Sequence, residues 1–327
     1  MRHFLFALFA LLLLPLAACT HSPSAAELFP GYSPSASGKE LVETETIPEH
    51  VRIQINAPAN FNAKRPTELI FFALPNGNTI EQTAGAPEAE GRDWHFYIQH
   101  IAAQTRMLRV IHPEKNYVVC YLEAEGLSWP SWRTKRPDNG TQIRGFIERI
   151  SSTIPGKPKT ISLVAHSGGG SMIFGYINGG DAIPADVTRI AWLDADYAYD
   201  EKQGHADKLL AWLKDGSHAL SVVCYDDSRI MLNGKLVLKT PMGGTFGSTH
   251  RMIDRFRQDV PLAEGKFDPF DTYISADSRL SFFIHPNPEN KILHTVLVER
   301  NGFLHAILFD EPQAPKIWDK SYMDFVE

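Results

Sequence analysis

The sequence predicts an α/β fold, a mostly parallel central sheet flanked by helices. Three observations lead there. Apolar, β-rich runs alternate with helical patterns through most of the chain, as expected of parallel strands joined by crossover helices. Several of those runs lack a polar alternate, which suits strands covered on both faces. The segment TISLVAHSGGGSMIFGYING, residues 160–179, sets three glycines between a strand-like run and a helix-like run. The chain must reverse direction there within a few residues.

The 327 residues divide unevenly. Residues 1–18, in MRHFLFALFALLLLPLAAC, carry one arginine, an apolar centre and small residues before a cysteine. That is the layout of a secretory signal and not of a retained spanning helix. LAAC at Leu16–Cys19 resembles the lipobox of bacterial lipoproteins. The resemblance implies an acylated Cys19 as the mature N-terminus, and hence a lipid-anchored protein of the bacterial cell envelope on its periplasmic or outer-membrane side. Residues 19–45 are rich in Ser, Pro and Ala and read as a flexible tether. Residues 46–327 are the expected folded domain, of a size suited to one large α/β unit.

Composition narrows the partners. Hydrophobic residues make up 43% and charged residues 21%, ordinary for a globular protein. The formal net charge is −6, and loss of Arg2 with the signal leaves 31 basic against 38 acidic residues. With no long basic run, a nucleic-acid partner is not expected. Cys120 and Cys224 each lie inside a strand pattern, so no disulfide is expected. No Cys pair, HExxH or His/carboxylate cluster has metal-ligand spacing.

The elements follow in order. VRIQINAP (51–58) alternates, as an early antiparallel strand does. ELIFFALP (68–75), NYVVCYLEA (116–124) and TISLVAH (160–166) read as central strands. VTRIAWLDA (187–195), ALSVVCYDD (219–227) and ILHTVLVE (292–299) read as further strands. Helical spacing marks residues 92–109 through Trp94, Ile98, Ile101 and Ala102. It also marks residues 139–154 through Ile143, Phe146, Ile147 and Ile150, the run after the glycines, and 205–215. Residues 228–290, with weak periodicity and much Gly, Pro and Asp, read as an excursion bordering the site, before the last strand.

Sterics give the glycines their purpose. A residue in so sharp a strand-to-helix turn is forced towards positive φ, which is costly with a Cβ. Small neighbours two residues either side of Ser167, Ala165 and Gly169, relieve the crowding. Gly168 sits at a helix start, where its N–H can face a developing oxyanion. Gly170 allows close helix approach. A P-loop would need a lysine, and a dinucleotide fingerprint would need glycine where Ile173 stands.

AHSGG at 165–169, between an apolar strand and an apolar helix, resembles the nucleophile elbow of the α/β-hydrolase superfamily, with alanine for its first glycine. The resemblance covers roughly residues 50–310 by element order. It implies a Ser, acid, His triad in that chain order, with Ser167 as nucleophile. His305, after the 292–299 run, is the expected base. His294 lies inside that run and reads as structural, and His250 and His285 come too early. Asp227 is the expected acid, with Asp226 beside it as one alternative and Asp194 or Asp196, one strand earlier, as the others. The second oxyanion donor is expected at the Asn76 N–H, or more loosely Gly77, beside Gly168. Trp129, Trp132 and Arg133 follow the 116–124 strand and could form an aromatic, cationic substrate wall.

The expectation is therefore an envelope-anchored serine hydrolase that needs no cofactor or metal. It acts on a small-molecule or cell-envelope acyl substrate, with a carboxylic ester as the default bond. Amide or peptide cleavage and acyl transfer use the same machinery. A non-catalytic envelope lipoprotein on this scaffold, or a polysaccharide deacetylase, are the other readings.

Overall fold

A computed structural model describes residues 23–157, 159–240 and 242–327. The signal segment and Cys19 lie outside the described residues. Among those described, no helix is long and apolar enough to cross a membrane.

The strands are β1 (Ser33–Pro34), β2 (Glu40–Ile47), β3 (Val51–Pro58), β4 (Thr67–Ala73), β5 (Asn116–Ala124) and β6 (Lys159–His166). They continue as β7 (Val187–Leu193), β8 (Ala219–Tyr225), β9 (Leu262–Phe267), β10 (Phe270–Ser275) and β11 (Leu280–His285). All eleven join one sheet in the order β1-β2-β3-β5-β4-β6-β7-β8-β11-β10-β9. The centre, β5 to β11, is parallel, and antiparallel strands extend both edges. This is the expected mostly parallel, helix-covered sheet.

Successive residues of β4 show why it reads as a continuous apolar run. Leu69, Phe71 and Ala73 enter one core, while Ile70, Phe72 and Leu74 enter the other, because strand side chains alternate between faces. Helices Asn139–Thr153, Gly170–Asn178, His205–Leu213 and Thr245–Phe256 cover the first face through Phe146, Phe174, Leu209 and Phe256. Helices Ile101–Ile111 and Gly302–Leu308 cover the second through Leu108 and Leu304.

Three expectations are corrected. Residues 23–45 are not a free tether: Phe29 is buried against Tyr32 and Phe61, and β2 begins at Glu40. The Ser/Pro composition hides a few anchoring apolar side chains. The helix expected from residue 92 begins at Ile101, after a 3₁₀ turn (Trp94–Tyr97) and a left-handed His100 with φ 47°.

The third correction moves the end of the sheet. The last parallel strand is β11, inside the supposed excursion, and residues 292–299 form no strand. Leu297 N–H donates to the Leu293 carbonyl at 3.0 Å, and the short helix Val296–Glu299 follows. An eight-residue apolar run fits either state, and here packing of Leu293, Leu297 and Val298 on the second core decides.

Candidate active site

Ser167 follows directly on β6 and has φ 54°, the strained turn that the glycine pattern implies. The glycines meet what the sharp turn brings close. A Cβ on Gly169 would stand 2.2 Å from the Ala73 carbonyl oxygen, and one on Gly170 would stand 1.7 Å from that of Ala195. Backbone approaches that tight exclude any side chain. A Cβ on Gly168 would stand 2.2 Å from Asn76 Oδ1, so the structure does bring Asn76 to the elbow.

A cavity of about 420 Å³ opens at the serine, lined by Asn76, Pro130, Ser167, Gly168, Ser171, Ala195, Tyr197 and Ala198. Another cleft, of about 540 Å³, lies between helix His205–Leu213 and residues 255–261 and 275–280, and does not include Ser167. Volume alone does not mark the site. Gly77 N–H donates to the Leu127 carbonyl at 2.9 Å and is thereby occupied. Asn76 N–H has no hydrogen-bond acceptor among the described residues. Of the two expected donors, only the Asn76 N–H is free to serve an incoming oxyanion.

The histidine beside this elbow is His294 and not His305. His294 Nδ1 is hydrogen-bonded to Asp194 Oδ2. Its backbone carbonyl accepts from His166 Nε2 at 3.0 Å, and the two rings lie 4.6 Å apart. His166 immediately precedes Ser167, and Tyr197 of the cavity wall lies 6.5 Å from the His294 ring. His294 is thus held between the residue before the serine and a side chain of the cavity wall. With Nδ1 engaged, Nε2 is the nitrogen left for chemistry.

Asp194 sits at the end of β7, 1% exposed, with φ 47°. Its N–H donates to the Val223 carbonyl at 2.7 Å. Its second oxygen accepts from Thr245 Oγ1 at the start of helix Thr245–Phe256. Both carboxylate oxygens are therefore satisfied, which fixes the group in place without a counter-cation.

His305 lies elsewhere. It is buried within helix Gly302–Leu308, its ring 4.5 Å from Phe283 and 6.0 Å from Phe309. Its Nε2 has no partner among the described residues. Burial, helped by the nearby Arg189 guanidinium, lowers its pKa to about 3. An enclosed ring that lacks a carboxylate and faces a cation cannot serve as the base. Chain order pointed to a histidine after the last strand; the last strand is β11 (Leu280–His285), and the histidine that follows it is His294. The traceable signal is LSFFIH followed by PNPEN, an apolar run ending in a Pro-Asn-Pro turn.

The other carboxylates also find their places. Asp227 accepts the Thr245 N–H at 3.3 Å, and its Oδ1 is buried without a partner. Burial first, and then the Asp194 charge, pushes its pKa up from 3.8 to about 7. Asp227 thus stands behind Asp194 and does not contact the histidine. Asp226 serves the turn, accepting from Ser228 N–H at 3.0 Å and from Ser228 Oγ at 2.5 Å. Asp196 accepts from Thr249 Oγ1 at 2.9 Å, and burial holds its pKa well above the carboxylate range. The structure brings Asp194, the alternative acid, to the histidine.

The expected substrate wall is core. Trp129 and Trp132 are each 1% exposed, and their indole N–H groups donate to the carbonyls of Leu122 and Glu49. Arg133 donates to Ser171 O at 2.8 Å and to Ser171 Oγ at 3.1 Å, so it braces the cavity from behind. Both tryptophans lie on the short helix Trp129–Thr134, and Pro130, between them, is the residue of that helix that reaches the cavity. A Trp-x-x-Trp spacing puts both rings on one helix face, and that face packs inward. Cys120 and Cys224 are buried free thiols.

No protein-family model matches the sequence, and no curated protein does. Solved structures are similar in fold. A thermostable esterase is 14% identical with a TM-score of 0.48, the match covering 85% of this chain and 64% of that one. This chain therefore spans less than two thirds of that protein. A feruloyl esterase module from Clostridium thermocellum is 11% identical with a TM-score of 0.44, over 82% of this chain and 89% of that one. A siderophore hydrolase from Aspergillus nidulans is 9% identical with a TM-score of 0.42, over 85% and 96%. Similarity at this level concerns the fold and says nothing about the substrate.

Proposed function

We propose that this chain is a serine hydrolase that cleaves a carboxylic ester through an acyl-enzyme, with Ser167 as nucleophile, His294 as base and Asp194 as the orienting acid. One observation carries the reading: the Asp194–His294 pair lies beside a strained serine at the end of a parallel strand. A serine needs a base, and the base needs a partner that fixes its tautomer. The order Ser167, Asp194, His294 is the chain order of the superfamily that the elbow resembles.

The chemistry follows from the geometry. Ser167 Oγ attacks the ester carbonyl carbon while His294 Nε2 takes the hydroxyl proton. Negative charge gathers on the carbonyl oxygen, within reach of the N–H groups of Gly168 and Asn76. Collapse of the adduct breaks the bond to the alkoxy oxygen, which leaves as the alcohol with the proton from His294. Water then attacks the acyl-serine by the same steps, releasing the acid and restoring Ser167. Asp194 stabilises the imidazolium that forms twice in each cycle.

The resemblance of Leu16–Cys19 to a lipobox supports a site of action at a bacterial envelope membrane. The test of function is hydrolysis of short p-nitrophenyl acyl esters by residues 23–327 beside Ser167→Ala. Turnover by the first and none by the second supports the reading. No turnover of esters or amides by a folded wild-type chain contradicts it and favours a non-catalytic envelope protein.

A further inference from the structure

Residues 231–236 form a hairpin that joins no other strand, with Met231–Leu232 paired to Lys235–Leu236 across an Asn233-Gly234 turn. Both turn residues have positive φ, 51° and 73°, as a tight two-residue hairpin turn requires. The hairpin is rooted firmly. Val237 N–H donates to the Ile230 carbonyl at 2.9 Å, Ile230 is buried, and a Cβ on Gly244 would stand 2.0 Å from Asp227 Oδ2.

What it presents to solvent is apolar. Met231, Leu232, Leu236, Val237 and Met242 are each 50–58% exposed. Five exposed apolar side chains gathered within twelve residues mark a contact surface. The charges along this segment, beyond the aspartates at its root, have one sign. Arg229, Lys235 and Lys239 flank the apolar side chains, and no carboxylate occurs from residue 228 to 253. The chain as a whole is acidic, with a net charge of −6.

We propose that this hairpin docks on an anionic phospholipid surface, its Leu and Met side chains entering the headgroup layer and its three cations meeting the lipid phosphates. The charge pattern selects this occupant. A second copy of the same hairpin would set like charges against each other, whereas an anionic leaflet attracts the cations and accepts the apolar tip. The net negative charge of the rest of the molecule orients this face towards the leaflet. The root of the hairpin is Asp227 and Gly244–Thr245, and Thr245 Oγ1 donates to Asp194, so a docked chain holds the candidate site close to lipid. The proposal stands on exposure and charge and does not depend on catalysis.

Flotation of residues 23–327, which contain every described element, tests it against vesicles of phosphatidylglycerol and phosphatidylcholine and against phosphatidylcholine alone. The expected result is flotation with the anionic vesicles and its loss at high salt. Leu232→Ser/Leu236→Ser and Lys235→Glu/Lys239→Glu should each lower partitioning about tenfold or more, with the melting temperature unchanged because these side chains are exposed. No flotation, or flotation that both double variants leave intact, would overturn the proposal. A dimer in sedimentation that Leu232→Ser/Leu236→Ser dissolves, without vesicle binding, would overturn it in favour of self-association.

Discussion

His166 Nε2 donates to the backbone carbonyl of His294 at 3.0 Å. This bond ties the residue before Ser167, the proposed nucleophile, to the loop that carries His294, the proposed base. A carbonyl only accepts, so Nε2 bears the proton, and His166 Nδ1 is left buried without a partner. Burial holds the His166 pKa well below its ordinary value, so the ring stays neutral and the bond persists across working pH. In the proposed mechanism His166 is a positioning residue. His166→Phe keeps the ring but loses the donor, and kcat on a soluble ester should fall about 10- to 100-fold with KM little changed. His166→Gln, which restores a side-chain N–H donor, should recover most of the loss.

The two aspartates separate in the same assay. Asp194→Asn leaves the fold in place but gives His294 a donor where it needs an acceptor, so kcat should drop about 10⁴-fold. Asp227→Asn should cost far less, since Asp227 touches the Thr245 backbone and not the histidine. Equal losses from the two variants would contradict the assignment of Asp194.

Asp227 should instead show itself in stability. Its carboxyl holds a proton in the folded chain up to about pH 7, while in the unfolded chain it releases it near 3.8. Between those values the unfolded state has fewer bound protons, so stability falls as pH rises and levels off above about pH 7. Melting temperatures of wild type and Asp227→Asn across pH 4 to 8 read this directly. The variant, neutral throughout, should lack that part of the decline.

The elbow glycines should fail in different ways. Gly170→Ala drives a methyl against the Ala195 backbone carbonyl, which cannot withdraw, and should cost about 3 kcal/mol or more in denaturant unfolding. Gly168→Ala meets only the amide end of the Asn76 side chain, which can turn aside. That variant should fold and melt near wild type yet lose about 10²- to 10³-fold in kcat, as expected when the oxyanion surround is displaced.

Much of this site was legible before the structure. The glycines at 168–170 could only serve a tight turn between two apolar runs, and the observed contacts with Ala73, Asn76 and Ala195 give that reading its atoms. The strands from 51 to 225 lie where their patterns put them, because buried parallel strands write themselves as unbroken apolar runs. What stayed hidden was long-range. LSFFIH is bordered by Pro, Asn and Asp and sits in a polar stretch, so its pairing with β8 is a tertiary fact. Taking 292–299 for the final strand shifted the expected base by one histidine. Trp129 and Trp132 were misplaced for a related reason: an aromatic pair on one helix face packs into a core or lines a cleft with the same spacing, and only the neighbours decide.

The most direct measurement is fluorophosphonate labelling of residues 23–327, read by intact mass, on wild type, Ser167→Ala, His294→Ala and His305→Leu. Ser167, His294 and Asp194 acting together predict one adduct on wild type and on His305→Leu, none on Ser167→Ala, and labelling slowed by orders of magnitude on His294→Ala. Undiminished labelling of His294→Ala, with loss of labelling in a folded His305→Leu, would contradict the account and return the base to His305.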